Sequence, residues 1–115
     1  MSLLPNVTVE DFSREVLFSP LPVIVDVYAD WCGPCRALAP LLDRLSTHYA
    51  DRLRFVKVNA DEEQDIVRYY RVEGLPTLLI FQNGQLVDRV VGLSDLRALV
   101  AKLEPLAAAG VAARS

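Results

Sequence analysis

Two short segments, PVIVDVYA (22–29) and LRFVKVNA (53–60), constrain this chain more than any other feature. The first is rich in β-branched residues, and both carry apolar residues at odd and even positions alike, apart from Asp26 in the first and Arg54, Lys57 and Asn59 in the second. A half-exposed strand alternates polar with apolar; a strand apolar on both sides has to be covered on both sides. The pair therefore predicts central strands of a sheet held between layers of helix. From Pro34 to about Tyr49, Leu38, Leu41, Leu42 and Leu45 follow helical spacing. Pro40 removes a backbone donor within that helix and should kink it without ending it.

The remaining elements fall around this unit. Thr8 before Val9-Glu10-Asp11 reads as an N-cap with early acidic residues, opening a short helix to about Phe18. A helix is predicted over roughly Gln64 to Tyr70. TLLIF and LVDRVV read as strands joined by Gln82-Asn83-Gly84-Gln85, where Asn-Gly is a strong hairpin signal. Ser94 is placed to cap a last helix carried by Leu96, Leu99, Val100 and Leu103. The end, LAAAGVAARS, is alanine-rich and unpatterned, a fraying helix end or loose tail. The order predicts an α/β fold, a three-layer sandwich whose sheet is parallel first and antiparallel at the hairpin edge. The 115 residues suit one domain, drawn as 1–108 with 109–115 as tail.

Charge and cysteine usage narrow the function. Twelve Lys+Arg against fifteen Asp+Glu leave a net charge of -3, which argues against a nucleic-acid partner. The first basic residue is Arg14, and Pro5, Asn6, Glu10 and Asp11 break up the start, so no secretory signal is read there. No apolar run approaches the roughly 20 residues of a membrane span. These features place the chain in the cytoplasm by default, where paired cysteines are more often catalytic or metal-binding than structural.

The two cysteines lie in ADWCGPCRALAP (29–40). Cys32 falls just past the end of a central strand, the side where open α/β sheets place their sites. Pro34 sits near the first helical position, where a missing N–H costs nothing. Cys32 is then at the helix mouth, facing unpaired N–H groups and the positive end of the dipole. That setting predicts a thiolate formed more readily than at the free-thiol value of about 8.5. Cys35, one turn further in and less exposed, is cast as the resolving thiol. A zinc site needs about four ligands, and the single histidine, His48, lies roughly 20 Å along the helix from Cys35. A structural disulfide around so small a loop would constrain the unfolded chain little. A reactive dithiol is the preferred reading.

Asp26 interrupts an apolar strand on the same face as Ile24 and Tyr28, and an unpaired carboxylate there should hold its proton above the ordinary range. A strand-end aspartate reaching water is the alternative. Lys57 can be read as a lysine whose stem covers apolar surface while its amine reaches water. His48 and the Tyr69-Tyr70 pair read as structural.

DVYADWCGPC, the later GLPTLLIFQNG and the following Gly92 resemble the thioredoxins over nearly the whole chain up to about residue 104. The resemblance implies the thioredoxin fold, with a central mixed five-stranded sheet, in an expected monomer. It implies that Asp26 lies behind the dithiol and assists proton transfer to and from Cys35, with Lys57 near it. It implies a cis bond before Pro76. Trp31, Gly33, Pro34, Leu75, Pro76 and Gly92 would form a flat docking surface, with the Leu75 backbone pairing an extended substrate segment. Asp61 matches an aspartate that helps position the tryptophan. Tyr28 departs from the best-known bacterial members, which carry a second tryptophan there.

The implied activity is protein-disulfide reduction by the Cys32/Cys35 pair, on disulfide-containing protein substrates. A thioredoxin reductase linked to NADPH or ferredoxin would recharge it. Gly33-Pro34 between the cysteines resembles the reducing members. No metal, flavin or nucleotide motif is present, so no cofactor is predicted. The rival readings are a dedicated thiol oxidant or isomerase, and a binding or chaperone module whose dithiol is incidental.

Overall fold

The computed structural model describes residues 2–92 and 95–114. Its regular elements after the N-terminal segment are β1 (Val23–Tyr28), α1 (Gly33–His48), β2 (Arg54–Asn59), α2 (Gln64–Tyr69), β3 (Thr77–Gln82), β4 (Gln85–Val91) and α3 (Leu96–Arg114). The sheet order is β2-β1-β3-β4. β1 pairs parallel with β2 and antiparallel with β3, and β3 pairs antiparallel with β4. Every residue of β1 is buried, as a strand flanked on both edges and covered on both faces must be.

Alternation along β1 sorts its side chains into two cores. Val23, Val25 and Val27 join Phe12, Val16, Val56, Val58, Ile66 and Phe81 on one face. Ile24 joins Leu38, Leu42, Leu78, Ile80, Leu99 and Leu103 on the other, so α1 and α3 share that side. α1 runs through Pro40 without a break. Asn83 and Gly84 both have positive φ, 53° and 79°, as a two-residue hairpin requires. A side chain at Gly84 would meet the Leu17 carbonyl oxygen at 2.9 Å.

Three expectations change. The sheet has four strands among the described residues, not five: the N-terminal segment contributes one parallel bridge, Asn6 to Lys57. Lys57 N–H donates to the Pro5 carbonyl (2.9 Å) and Val7 N–H to the Lys57 carbonyl (2.8 Å). The next amide, Thr8 N–H, then donates to Asp11 Oδ1 (2.7 Å) and turns the chain away from the sheet. The helix expected from Thr8 to Phe18 shortens to a π-helical turn, Ser13–Leu17. It closes with Phe18 N–H on the Ser13 carbonyl and seats Val16 in the core. The alanine-rich end continues α3 to Arg114, with Ala107 fully buried against the sheet's helical face. Ser94, read as the cap of α3, lies outside the described residues.

Candidate active site

Cys32 is the N-cap of α1. Its backbone is extended (φ -86°, ψ 108°) and its Sγ accepts a hydrogen bond from Cys35 N–H at 3.2 Å. Sulfur thus fills the place that Ser, Thr or Asp usually takes at a helix start. Pro34 opens the first turn, which carries no acidic side chain, so no carboxylate competes for the positive end of the helix. Cys32 and Cys35 are joined as a disulfide, with their Cα atoms 5.2 Å apart. In this oxidised form both are buried, at 4% and 2% exposure, so the difference expected between them is slight. The disulfide packs with Tyr28, Ala29 and Leu75.

Around it the polypeptide is open. Gly33 and Pro34 are exposed and Trp31 is 67% exposed. The Trp31 indole Nε1–H donates to Asp61 Oδ2 at 2.9 Å. Asp61 is itself held, because Asn59 Oδ1 at the end of β2 accepts from the Asp61 and Glu62 amides (2.9 and 3.3 Å). Asn59 was passed over in the sequence. The signal for it was available, since an Asn two residues before another turn residue closes an Asx-turn. The Leu75–Pro76 bond is cis, Pro76 is buried and Leu75 half-buried. The Pro76 carbonyl accepts from Gly92 N–H at 2.8 Å, and Gly92 has φ 83°. Of these residues Leu75 packs against the disulfide, and Gly92 is tied to its neighbour Pro76.

Two residues before Tyr28 on β1 stands Asp26, 3% exposed, with Oδ1 lacking any hydrogen-bond partner. Burial raises its pKa from the ordinary 3.8 to about 7, against an opposing pull from Lys57 and with a further push from Asp43. Lys57 is Asp26's direct neighbour in the β1–β2 register. It is buried at 9% exposure, and its Nζ donates to the Ser2 carbonyl at 2.8 Å. The lysine amine thus ends on a backbone carbonyl rather than in open water.

The cysteine pair follows β1 and the cis-proline precedes β3 at the same end of the sheet, with Asp26 and Lys57 side by side within β1 and β2. The thioredoxin family profile matches residues 4–105. The chain belongs to the thioredoxin family. It is similar to thioredoxin 1 of Synechococcus elongatus, 48% identical over 92 residues, covering 80% of this chain and 86% of the relative. It is also similar to thioredoxin of Synechocystis sp., 44% identical over 104 residues, covering 90% and 97%. Thioredoxin of Rickettsia felis is 40% identical over 95 residues, covering 83% and 90%. As a thioredoxin with its cysteine pair in place, the chain is a protein-disulfide oxidoreductase working by dithiol–disulfide exchange. Among the described residues, no helix is long and apolar enough to cross a membrane.

Proposed function

We propose that this thioredoxin is a general protein-disulfide reductase in which Cys32 attacks and Cys35 resolves. The observation that carries the assignment is the helix cap: Cys32 Sγ already accepts from Cys35 N–H. A thiolate at that position would gain a charge-assisted hydrogen bond and the favourable end of the α1 dipole. It attacks one sulfur of a substrate disulfide, forming a mixed disulfide and expelling the other sulfur as a thiolate. Cys35 then loses its proton and attacks Cys32 Sγ. The Cys32–substrate bond breaks, the second substrate thiolate leaves, and two electrons have passed to the substrate. Holding Cys35 one turn away makes this second step effectively unimolecular.

Asp26 is the proposed acceptor of the Cys35 proton. A carboxyl that titrates near 7 is matched to general-base work at neutral pH. Lys57 tunes it from the neighbouring strand. Trp31, Leu75, cis-Pro76 and Gly92 form the docking surface, and the Leu75 backbone offers an extended substrate segment its N–H and C=O. Gly33 and Pro34 set the reducing poise. The oxidised pair is recharged by a thioredoxin reductase, and a reducing compartment such as the cytoplasm suits that cycle.

Catalysed reduction of insulin by dithiothreitol tests the class, because a binding module gives no acceleration. The Cys35→Ser variant should accumulate a mixed disulfide on Cys32, visible by mass spectrometry under non-reducing conditions. Trapping on position 35 in Cys32→Ser instead would reverse the two roles. Asp26→Asn should slow reduction, and rates equal to the parent's from pH 6 to 9 would remove Asp26 from the mechanism.

A further inference from the structure

The reaction as described leaves Asp43 and the N-terminal segment without a task, yet they are fastened to each other and to Lys57. Asp43 lies on α1, on the helix that carries the cysteines. Its Oδ1 accepts from the Ser2 hydroxyl (2.7 Å) and from Leu3 N–H (3.0 Å), and its Oδ2 accepts from the same amide (3.1 Å). The Ser2 hydroxyl oxygen accepts in turn from Leu4 N–H at 3.1 Å, and the Leu4 side chain is sunk in the core beside Ile24 and Leu38. The carbonyl of Ser2 is the group that receives the Lys57 ammonium. The ammonium also lies over the Tyr28 ring, 5.4 Å from its centre. One lysine thus has two claimants, the Ser2 carbonyl and the Asp26 carboxyl beside it in register. The ammonium is seated on the Ser2 carbonyl, while Asp26 Oδ1 stays unpartnered.

We propose that Asp43 is a positioning residue for the exchange reaction: by fastening Ser2 and Leu3 it holds the Ser2 carbonyl against the Lys57 ammonium and keeps that ammonium off Asp26. The proposal rests on the reading of Asp26 as proton acceptor. A lysine seated directly on Asp26 would favour the ionised carboxylate and leave a weaker base. The groups that face Asp26 are few. Lys57 faces it from β2, Asp43 from α1 and Tyr28 from its own strand. From β3 the opposing residue is the uncharged Leu78, and α3 packs on this face through Leu99 and Leu103. Loss of Asp43 acts twice in one direction. It removes a negative charge that favours the protonated acid, and it frees the ammonium to pair with the carboxylate.

The test is a carbon-13 carboxyl NMR titration of Asp26 in the oxidised full chain, where no thiol titrates. Asp43→Ala should lower the Asp26 midpoint by about one pH unit. Asp43→Asn loses the charge but keeps an oxygen for Ser2 and Leu3, so it should lower the midpoint less. In a Lys57→Met background, where there is no ammonium to restrain, the two substitutions should act equally. A midpoint unmoved by Asp43→Ala overturns the proposal. Equal shifts from Ala and Asn in the parent also overturn it, since charge alone would then explain them. The titration reads the clasp, and the pH–rate profile of Asp43→Ala reads its consequence, with its midpoint moving down in step. An Asp26→Asn profile identical to the parent's would instead strike at the proton-transfer reading, and the titration would still report the clasp separately.

Discussion

Asp26 and Asp88 are both strand aspartates of one sheet, each with a lysine as its nearest cation, and they end in opposite electrostatic states. Asp88 lies on the edge strand β4 with its side chain 39% exposed. Its Oδ2 accepts from Lys102 Nζ on α3 at 2.8 Å, and its Oδ1 accepts from Arg89 N–H at 2.8 Å. The Lys102 hydrogen bond holds its carboxyl below the ordinary range, against a smaller penalty from burial. Asp26 lies on the central strand, and there burial comes first and lifts its pKa to about 7. Its lysine neighbour donates elsewhere, to the Ser2 carbonyl. The same side chain on the same sheet becomes a surface anion at the edge and a poised acid in the middle. Strand position controls water access, and water access controls how much a proton is worth.

Moving the carboxylate breaks the comparison most sharply. Val25→Asp places it one residue along β1, on the opposite face, among Val23, Val27, Val56, Val58 and Phe81. An unpaired acid in that cluster should destabilise the fold by more than about 4 kcal/mol, so that little folded protein survives. A Val25→Asp protein with a urea midpoint near the parent's would show that the two faces of β1 are not so different.

The next effect sharpens it. Asp26 binds its proton more tightly folded, near 7, than its ordinary 3.8. Its stabilising contribution is therefore complete below about pH 4 and is lost as the pH rises through 7, up to about 4 kcal/mol in all. Urea unfolding of the parent and Asp26→Asn at pH 4.5 and 8 should show the parent losing stability relative to the variant at the higher pH. A constant gap between the two proteins would mean that Asp26 ionises as freely in the fold as outside it.

The smallest effect lies at the edge. Lys102→Ala removes an ion pair whose partners are 42% and 39% exposed, so its cost should be about 0.5 kcal/mol, shrinking in high salt. The sign of its pH dependence is opposite: Asp88's contribution is present above its unfolded pKa and is lost as acid protonates it. A loss of several kcal/mol on removing Lys102 would mean that the edge pair is not screened.

Much of this arrangement was legible along the chain, and the reason differs by element. Val23 to Tyr28 declared a covered strand because burial on both faces leaves no polar alternation. Asn83-Gly84 declared the hairpin because few other pairs adopt two positive φ values in succession. Cys32 declared the site because proline two residues on marks a helix start. The first helix was overextended, because Thr8 and Asp11 do bond to each other but close a turn rather than a helical run. The fifth strand dwindled to a bridge, where Pro5 offers only a carbonyl and Thr8 is already turning. Ser2 and Asp43 escaped notice entirely, since their bond spans 41 residues and no local pattern announces it.

What the residues dictated unaided is the layering and the chemistry: which segments must be covered, where the helix opens, and which two sulfurs stand at its mouth. These follow from local geometry and side-chain polarity, which every copy of the chain carries before it folds. Only the tertiary structure decided how deeply Asp26 is buried, and so how tightly it holds its proton, and which oxygen receives the Lys57 ammonium. The second joins a serine, an aspartate and a lysine drawn from distant parts of the chain. Packing brings them together, and within a covered core the loss of water decides which ionic form prevails.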